Sequence, residues 1–260
     1  MKQHFHILPI LLLSVAFTAC RKEIDLDLQN EGNKVVIEAI VSEGPGPHTV
    51  RLTRSVGFGA ANTFPAITDA IVTMSDDLGN SEQLTETAPG MYVTAALVGG
   101  QQRTYELNVV VDGTNHTARC SMPMAVPLDA LLVDSFPAFG GYSRMVIPVY
   151  FDPAGVANYY KFNVVVNGER QKSLDLVSDR FTDGNLVMQP LFVNGLELES
   201  GDVVEVTMEC IAPEVYHYFF SMPQNSNNAS TPADPVSNIS SGALGYFSVR
   251  TSSTRTVVVP

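Results

Sequence analysis

YELNVVVDGTNHTARCSM, residues 105–122, is the clearest structural signal in the chain. Apolar and polar residues alternate on both sides of Asp112-Gly113, and this alternation is typical of β-strands with one buried face. Asp-Gly is a preferred pair in two-residue hairpin turns, because glycine adopts positive φ without a side-chain clash. The stretch therefore predicts an antiparallel β-hairpin.

The same period of two recurs along most of the chain. In the first half it predicts seven strands, at residues 35–41, 50–56, 70–76, 81–85, 91–96, 105–111 and 114–122. Short strands with a turn about every ten residues are typical of an immunoglobulin-like or transthyretin-like β-sandwich. In the second half it predicts strands at residues 128–135, 144–151, 159–166, 170–177, 186–193 and 203–211. The predicted fold class is therefore mainly β.

Two prolines divide this pattern. Pro123 and Pro127 interrupt the alternation, and proline cannot donate a hydrogen bond within a central strand. We place a domain boundary here, which gives a β-sandwich domain at residues 34–126 and a second β domain at residues 127–260.

One short helix is predicted in the second domain, at residues 213–222. Pro213 suits the first helical position, Glu214 interacts favourably with the positive end of the helix dipole, and Pro223 is expected to end the helix. Residues 223–242 are rich in Asn, Ser, Pro and Ala and predict a long loop. Long loops in compact domains are often functional.

The N-terminus resembles a bacterial lipoprotein signal. An apolar run at residues 7–17 ends in Phe17-Thr18-Ala19-Cys20, which is similar to the site cut by lipoprotein signal peptidase. The run is shorter than the roughly 20 residues of a membrane-spanning helix, and an ordinary secretory signal is the other alternative. We predict a signal peptide at residues 1–19, acyl chains such as palmitate on Cys20, and a charged tether at residues 20–33.

Composition limits the partners that the chain can have. The formal net charge is −12, and an acidic surface repels nucleic acid and anionic lipid headgroups. Hydrophobic residues make up 45% of the chain, which is enough for a buried core. We expect a folded protein with no nucleic-acid partner, attached to a membrane through the lipid on Cys20.

The two remaining cysteines are predicted to be buried thiols. Cys120 shares a strand face with His116, and Cys210 shares one with Met208. Each would therefore point into the core of its own domain, although an oxidising envelope would permit a disulfide. We expect separate thiols and not a bridge.

The acidic stretch at residues 179–185 has the first, fifth and sixth positions of a calcium-binding EF-hand loop. Phe181 occupies the third position, and Pro190 occupies the twelfth, where a bidentate Glu is needed. The stretch therefore fails as an EF-hand and predicts a turn with exposed acids.

Catalytic and metal-binding motifs are missing from the sequence. The histidines beyond the signal are His48, His116 and His217, and none stands at ligand spacing from another histidine or a cysteine. Neither Gly-x-Ser-x-Gly nor Ser-x-x-Lys occurs. We expect no metal site, no cofactor and no catalytic residues, although an envelope hydrolase assembled from distant residues stays as an alternative.

A C-terminal motif points to a family. PVSNISSGALGYF, residues 235–247, resembles a signature of the Bacteroidota lipoproteins that carry domain of unknown function 4249. Further segments similar to that family lie at residues 22–26, 35–38, 158–162 and 179–184. Ser241 and Ser248 depart from the pattern, since the family would have Gly at the first position and Gly or Ala at the second.

The resemblance implies a location and a type of role. Members are similar in being envelope lipoproteins, often encoded beside TonB-dependent outer-membrane receptors. This implies an outer-membrane accessory protein in uptake or surface binding, with a TonB-dependent receptor as partner. The resemblance supplies neither catalytic residues nor a ligand, so a small molecule and a glycan stay open, as does the membrane face.

Candidate binding residues come from the predicted helix and the C-terminal motif. They are Tyr216, Tyr218, Phe220, Asn238, Tyr246 and Phe247. Tyr and Phe provide large, rigid contact areas, although packing under the long loop is an alternative for the aromatic residues.

A structural role is the main alternative function. A fimbrillin-like adhesive subunit would also have a lipid signal and two β domains. Residues 254–259 would then be a strand exchanged between subunits.

Overall fold

A computed structural model describes residues 32–57, 60–61, 63–138, 141–191, 197–226 and 234–260. The predicted signal peptide, Cys20 and nearly all of the tether at residues 20–33 lie outside the described residues. Within the described ranges, no helix is long and apolar enough to span a membrane.

The first half of the chain forms ten strands. They are β1 (Val35–Ser42), β2 (Gly44–Pro45), β3 (Thr49–Arg54), β4 (Ile71–Asp76), β5 (Ser81–Gln83), β6 (Thr85–Ala88), β7 (Met91–Val93), β8 (Val98–Gly99), β9 (Thr104–Val111) and β10 (Thr114–Ser121). The predicted hairpin is the pair β9 and β10, in which Val111 lies opposite Thr114.

The second half adds eight strands and a helix. They are β11 (Ala130–Ala138), β12 (Gly141–Phe151), β13 (Tyr159–Val166), β14 (Glu169–Arg170), β15 (Asp175–Ser178), β16 (Leu186–Met188), β17 (Val203–Cys210), α1 (Pro213–Ser226) and β18 (Leu244–Val258). The mainly β class, a sandwich followed by a second β domain with one helix among the described residues, is confirmed.

A nine-stranded central sheet runs through both halves in the order β14-β13-β17-β18-β1-β3-β7-β6, with β15 also paired to β13. Smaller sheets accompany it: a four-stranded sheet β10-β9-β4-β5, a three-stranded sheet β11-β12-β16 and the pair β2-β8. Two hydrophobic cores result. The first gathers side chains of the first half together with residues of the second half that include Val215, Ile239, Phe247 and Val249, and the second lies among residues 126–259.

Strand β18 links the two halves of the central sheet. Its residues 244–250 pair with β1 in parallel register, and its residues 251–258 pair with β17 in antiparallel register. The last strand is therefore shared between the sandwich predicted at residues 34–126 and the sheet of the second half. The C-terminal residues that a fimbrillin-like subunit would exchange are paired within their own chain.

Gly245 allows the close approach of β18 and β1. Its φ is +96°, and a Cβ built on it would lie 2.0 Å from the Ile37 carbonyl oxygen. Only glycine fits this position without moving the backbone. At Gly242, by contrast, φ is +70° and a Cβ would meet no atom within 4 Å.

The helix continues past its predicted end at residue 222 and stops at Ser226. The φ of proline is compatible with a helical backbone, so Pro223 does not by itself end the helix, although it has no N–H to donate. The predicted loop at residues 223–242 therefore begins as helix, and its residues 227–233 lie outside the described part of the chain. Its last part forms an isolated bridge between Ile239 and Ala118 of β10.

The turn predicted at residues 179–185 is present, with a short 3-10 helix at Asp179–Phe181. The prediction that its acids are exposed is wrong for Asp179, which is buried, while Asp183 is exposed. Asp179 is buried because its carboxylate accepts a hydrogen bond from the backbone N–H of Asn158, a residue in a different loop.

The cysteines lie where the strand pattern predicts. Cys120 is buried in the first core and Cys210 in the second, each as a free thiol. Burial raises the pKa of both thiols. Neither is therefore activated as a thiolate nucleophile.

Gly245→Ala is expected to destabilise the protein by at least about 3 kcal/mol, because it combines a left-handed backbone with a clash against the β1 backbone. Gly242→Ala, the matched control, is expected to cost only about 1 kcal/mol, since it has the backbone strain without the clash. The denaturant midpoints of the two variants measure the difference. Equal losses would contradict the close approach of β18 to β1.

Candidate functional site

Helix α1 lies against strands β13, β15 and β18. Val215 at its first turn is fully buried in the first core, and the following residues pass over the central sheet. Side chains alternate along a strand, so Lys161, Glu209 and Arg250 face away from their neighbours that fill the two cores. The helix therefore covers the sheet face that carries Lys161, Glu209 and Arg250, while its first turn packs into the first core.

A buried ion group lies on this covered face. Glu209 accepts from Lys161 Nζ at 2.7 Å and pairs with Arg250 at 2.9 Å. The Glu209 side chain is 6% exposed. Burial lowers the pKa of Lys161, and the charge of Glu209 opposes that shift. Two cations share one carboxylate, so the carboxylate is the group that makes their burial tolerable.

The Phe219 ring covers the side of the ion group that faces helix α1. Lys161 Nζ lies 5.3 Å from the centre of the Phe219 ring, within cation–π range. Phe219 in turn packs on Tyr246 with ring centres 4.9 Å apart. The helix thus places an apolar and aromatic cover over buried charges.

The remaining aromatic rings of α1 form two contacts with the sheet. Tyr216 stacks on Phe220 at 5.6 Å and tilts against Tyr159 at 4.9 Å, while Tyr218 lies 5.1 Å from Tyr246. Burial raises the pKa of Tyr218 to about 12 and also raises that of Tyr246. Both hydroxyls are therefore protonated near neutral pH and act as hydrogen-bonding groups, not charges.

The segment at residues 235–240 holds the start of β18. The Asn238 side chain accepts from the Phe247 N–H at 2.9 Å and donates to the Phe247 carbonyl at 2.8 Å. Ser237 Oγ donates to the Gly245 carbonyl at 2.7 Å. On the other side, Ser240 exchanges hydrogen bonds with the Thr117 backbone of β10. The segment therefore connects β18 to the four-stranded sheet.

Two clefts flank this segment. We call the first the helix cleft; its volume is about 340 Å³, and it is lined by Glu214, His217, Phe220, Ser221, Val236, Ser237 and Asn238. The second, the sheet cleft, has a volume of about 380 Å³, and its lining includes Glu38, Arg51, Phe64, Tyr218 and Leu244. The helix cleft lies between α1 and residues 236–238, whereas the sheet cleft also includes residues of the central sheet.

A sequence comparison identifies the family. Residues 21–256 match the family described as Domain of unknown function (DUF4249). The chain belongs to this family. Among curated proteins, the chain has no match.

The motif by which the chain resembles the DUF4249 family, residues 235–247, contains the segment at residues 235–240 and the first residues of β18. Of the two departures from the family pattern, only Ser248 is at a confined position, with 1% exposure, where a small residue fits. Ser241 is exposed and has a left-handed backbone with φ of 59°, a conformation that favours the Gly of the family pattern.

The predicted binding residues do not form one surface. Phe247 is fully buried in the first core, so it contributes no contact area. Tyr246 and Tyr218 pack together, and the side-chain amide of Asn238 is hydrogen-bonded to the β18 backbone. Only Phe220, which is 49% exposed, presents a large apolar surface.

Several residues of the site were missed by sequence reasoning. The buried ion group joins three strands, and its only sequence signal is a charged residue at an outward position of each. A further polar groove of about 780 Å³ lies along the four-stranded sheet, lined by residues such as Glu106, Asn108 and Ser240. The alternation of apolar and polar residues predicts which strand residues of this groove are polar. It does not predict that residues 237–240 form the other wall of the groove.

Glu209→Gln is expected to destabilise the protein by about 3–5 kcal/mol, because Lys161 then remains buried, and Arg250 half-buried, without a carboxylate. Glu106→Gln is the matched control. Glu106 pairs with Arg119 at 3.4 Å on the surface, where loss of an ion pair costs less than about 1 kcal/mol. Urea unfolding of both variants measures the two values. Similar small losses would show that the ion group contributes little.

Proposed function

We propose that this chain is an outer-membrane lipoprotein, anchored by acyl chains on Cys20, that serves a TonB-dependent receptor as a non-enzymatic accessory or binding protein. Membership of the DUF4249 family supports this proposal, because members resemble one another in carrying a lipid signal and are often encoded beside such receptors. The apolar run ending at Phe17-Thr18-Ala19-Cys20 supports the anchor.

The observation that carries the binding role is the exposed apolar surface at the helix cleft. Phe220 and Val236 line this cleft and are 49% and 64% exposed. Met222, two residues further along α1, is 41% exposed. Apolar residues grouped beside a cleft are typical of interaction sites. The ion group and the packed rings beneath give this surface a fixed position.

The surroundings of the histidines favour binding over catalysis. His48 and His116 are each 4% exposed within the sandwich of the first half. Burial lowers the pKa of His48, and its backbone N–H donates to Thr94 Oγ1 at 2.8 Å. His217 packs between Tyr159 and Tyr216. The imidazoles of His48 and His116 are thus packed in the sandwich, whereas His217 is exposed and lines the helix cleft. We assign none of the three to proton transfer.

Cys20→Ala is expected to release the protein from the membrane fraction and to abolish incorporation of labelled palmitate. Several acyl chains, at about 0.8 kcal/mol per buried methylene, hold a protein firmly, and this variant has none. Cys120→Ala is the control and should stay in the membrane fraction, since that thiol is buried in the first core. Wild-type protein in the soluble fraction would contradict the anchor.

Replacement of Phe220 and Val236 by Ser is expected to reduce co-purification of the receptor encoded beside this chain at least tenfold. Tyr142→Ser is the matched control, because Tyr142 is 77% exposed on the hairpin of β11 and β12. Affinity purification from membranes followed by quantitative mass spectrometry measures both variants. A wild-type protein that captures no receptor would overturn the partner, and an unchanged double variant would overturn the surface.

A further inference from the structure

Three aspartates from separate parts of the chain meet at one end of the second half. Asp152 follows β12, Asp179 begins the 3-10 turn after β15, and Asp183 lies in the turn that follows. One carboxylate oxygen from each lies within 4.8 Å of the other two. Three carboxylates this close repel one another strongly unless a proton or a cation intervenes.

Asp152 is the member of this cluster that points to a ligand. Its side chain is 0% exposed, and within the described part of the chain its Oδ2 atom has no hydrogen-bond partner that meets the geometric criteria of a hydrogen bond. Its Oδ1 atom accepts a hydrogen bond from the Tyr160 hydroxyl. Burial raises the pKa of Asp152, and the charges of Asp179 and Asp183 raise it further. A buried carboxylate oxygen without a donor is costly, and a bound cation would remove that cost.

The cluster is held in place by backbone hydrogen bonds between two loops. The Asp179 carboxylate accepts from the Asn158 N–H at 2.6 Å, and Asp183 Oδ1 accepts from the Gly155 N–H at 2.7 Å. The Asp152 N–H donates to the Asn185 carbonyl at 3.0 Å. These bonds use only part of the capacity of the carboxylates, since each oxygen can accept more than once. Each aspartate therefore keeps lone pairs for a ligand.

We propose that Asp152, Asp179 and Asp183 bind a calcium ion. Calcium takes oxygen ligands at about 2.3–2.6 Å, so two ligands on opposite sides of one ion stand roughly 4.8 Å apart. The three carboxylate oxygens lie within that span. Magnesium requires a tighter octahedron, with ligands at about 2.0–2.1 Å.

The surroundings of the aspartates fit a hard cation. All three contribute oxygen, and softer metals prefer nitrogen or sulfur. In the same turn, Thr182 Oγ1 is a further buried oxygen that has no hydrogen-bond partner among the described residues. Asp183 is exposed and provides a path for an ion from solvent. The site is not an EF-hand, because Asp152 comes from a loop outside residues 179–185.

Terbium luminescence tests the proposal directly. Tb³⁺ binds oxygen-rich calcium sites and emits when a nearby tyrosine is excited, and the Tyr160 hydroxyl contacts Asp152. The chain contains no Trp, so excitation near 280 nm is absorbed by Tyr. We expect sensitised emission from purified protein and its loss when Ca²⁺ is added. Emission that Ca²⁺ does not displace overturns the proposal.

Thermal unfolding of chelator-treated protein supplies a second readout. At a hundredfold excess over its Kd, Ca²⁺ is expected to raise Tm by about 5–10 °C. Asp183→Asn should weaken binding at least tenfold, and Asp152→Asn should abolish the shift while keeping the fold, since a neutral amide avoids the repulsion. The control Asp112→Asn, at an exposed aspartate outside the cluster, should leave the shift unchanged.

Three results would overturn the calcium site. The first is the lack of a Ca²⁺-dependent shift in the wild type. The second is a shift of wild-type size in both Asp183→Asn and Asp152→Asn, which would place the ion elsewhere. The third is an equal shift with Mg²⁺ at the same concentration, which would overturn the choice of calcium. These measurements do not involve the helix cleft, so their outcome is independent of the proposed partner.

Discussion

Strand β18 bonds to β1 in parallel and to β17 in antiparallel register, and the other elements take their places around this double pairing. A parallel pair cannot be closed by a hairpin, and here nearly the whole described chain lies between its two strands. Closing such a long connection costs entropy before any contact forms. The cost is offset by the two cores that lie on one face of the central sheet.

The double pairing also determines what occupies the opposite face. Because β13, β17 and β18 are neighbours, Lys161, Glu209 and Arg250 are brought together, and their charges must be shared once α1 covers them. The aromatic residues of α1 shield that group from water, and Phe219 contacts Lys161 through its ring. Phe220 stays exposed beside the helix cleft.

The two groups of buried charges in the chain differ in how their charges are balanced. The ion group under α1 is internally paired, with a carboxylate between two cations. Among the described residues, the three aspartates beside β12 and β15 form a cluster of carboxylates in which one buried oxygen has no donor. The charges of the first group are therefore paired within the protein, whereas the second group fits the cation that we propose. Both depend on loops or strands that meet only in the folded chain.

By itself, the sequence determined the mainly β class, the hairpin at residues 105–122, the start of α1 at Pro213 and the family motif at residues 235–247. These are local signals, since alternation, turn chemistry and helix caps act over a few residues. The tertiary structure alone decided that the helix passes Pro223 and that Phe247 is core while Phe220 is surface. It also decided that Asp152 joins Asp179 and Asp183. Strand order and loop contacts depend on packing between distant segments, which a period of two does not encode.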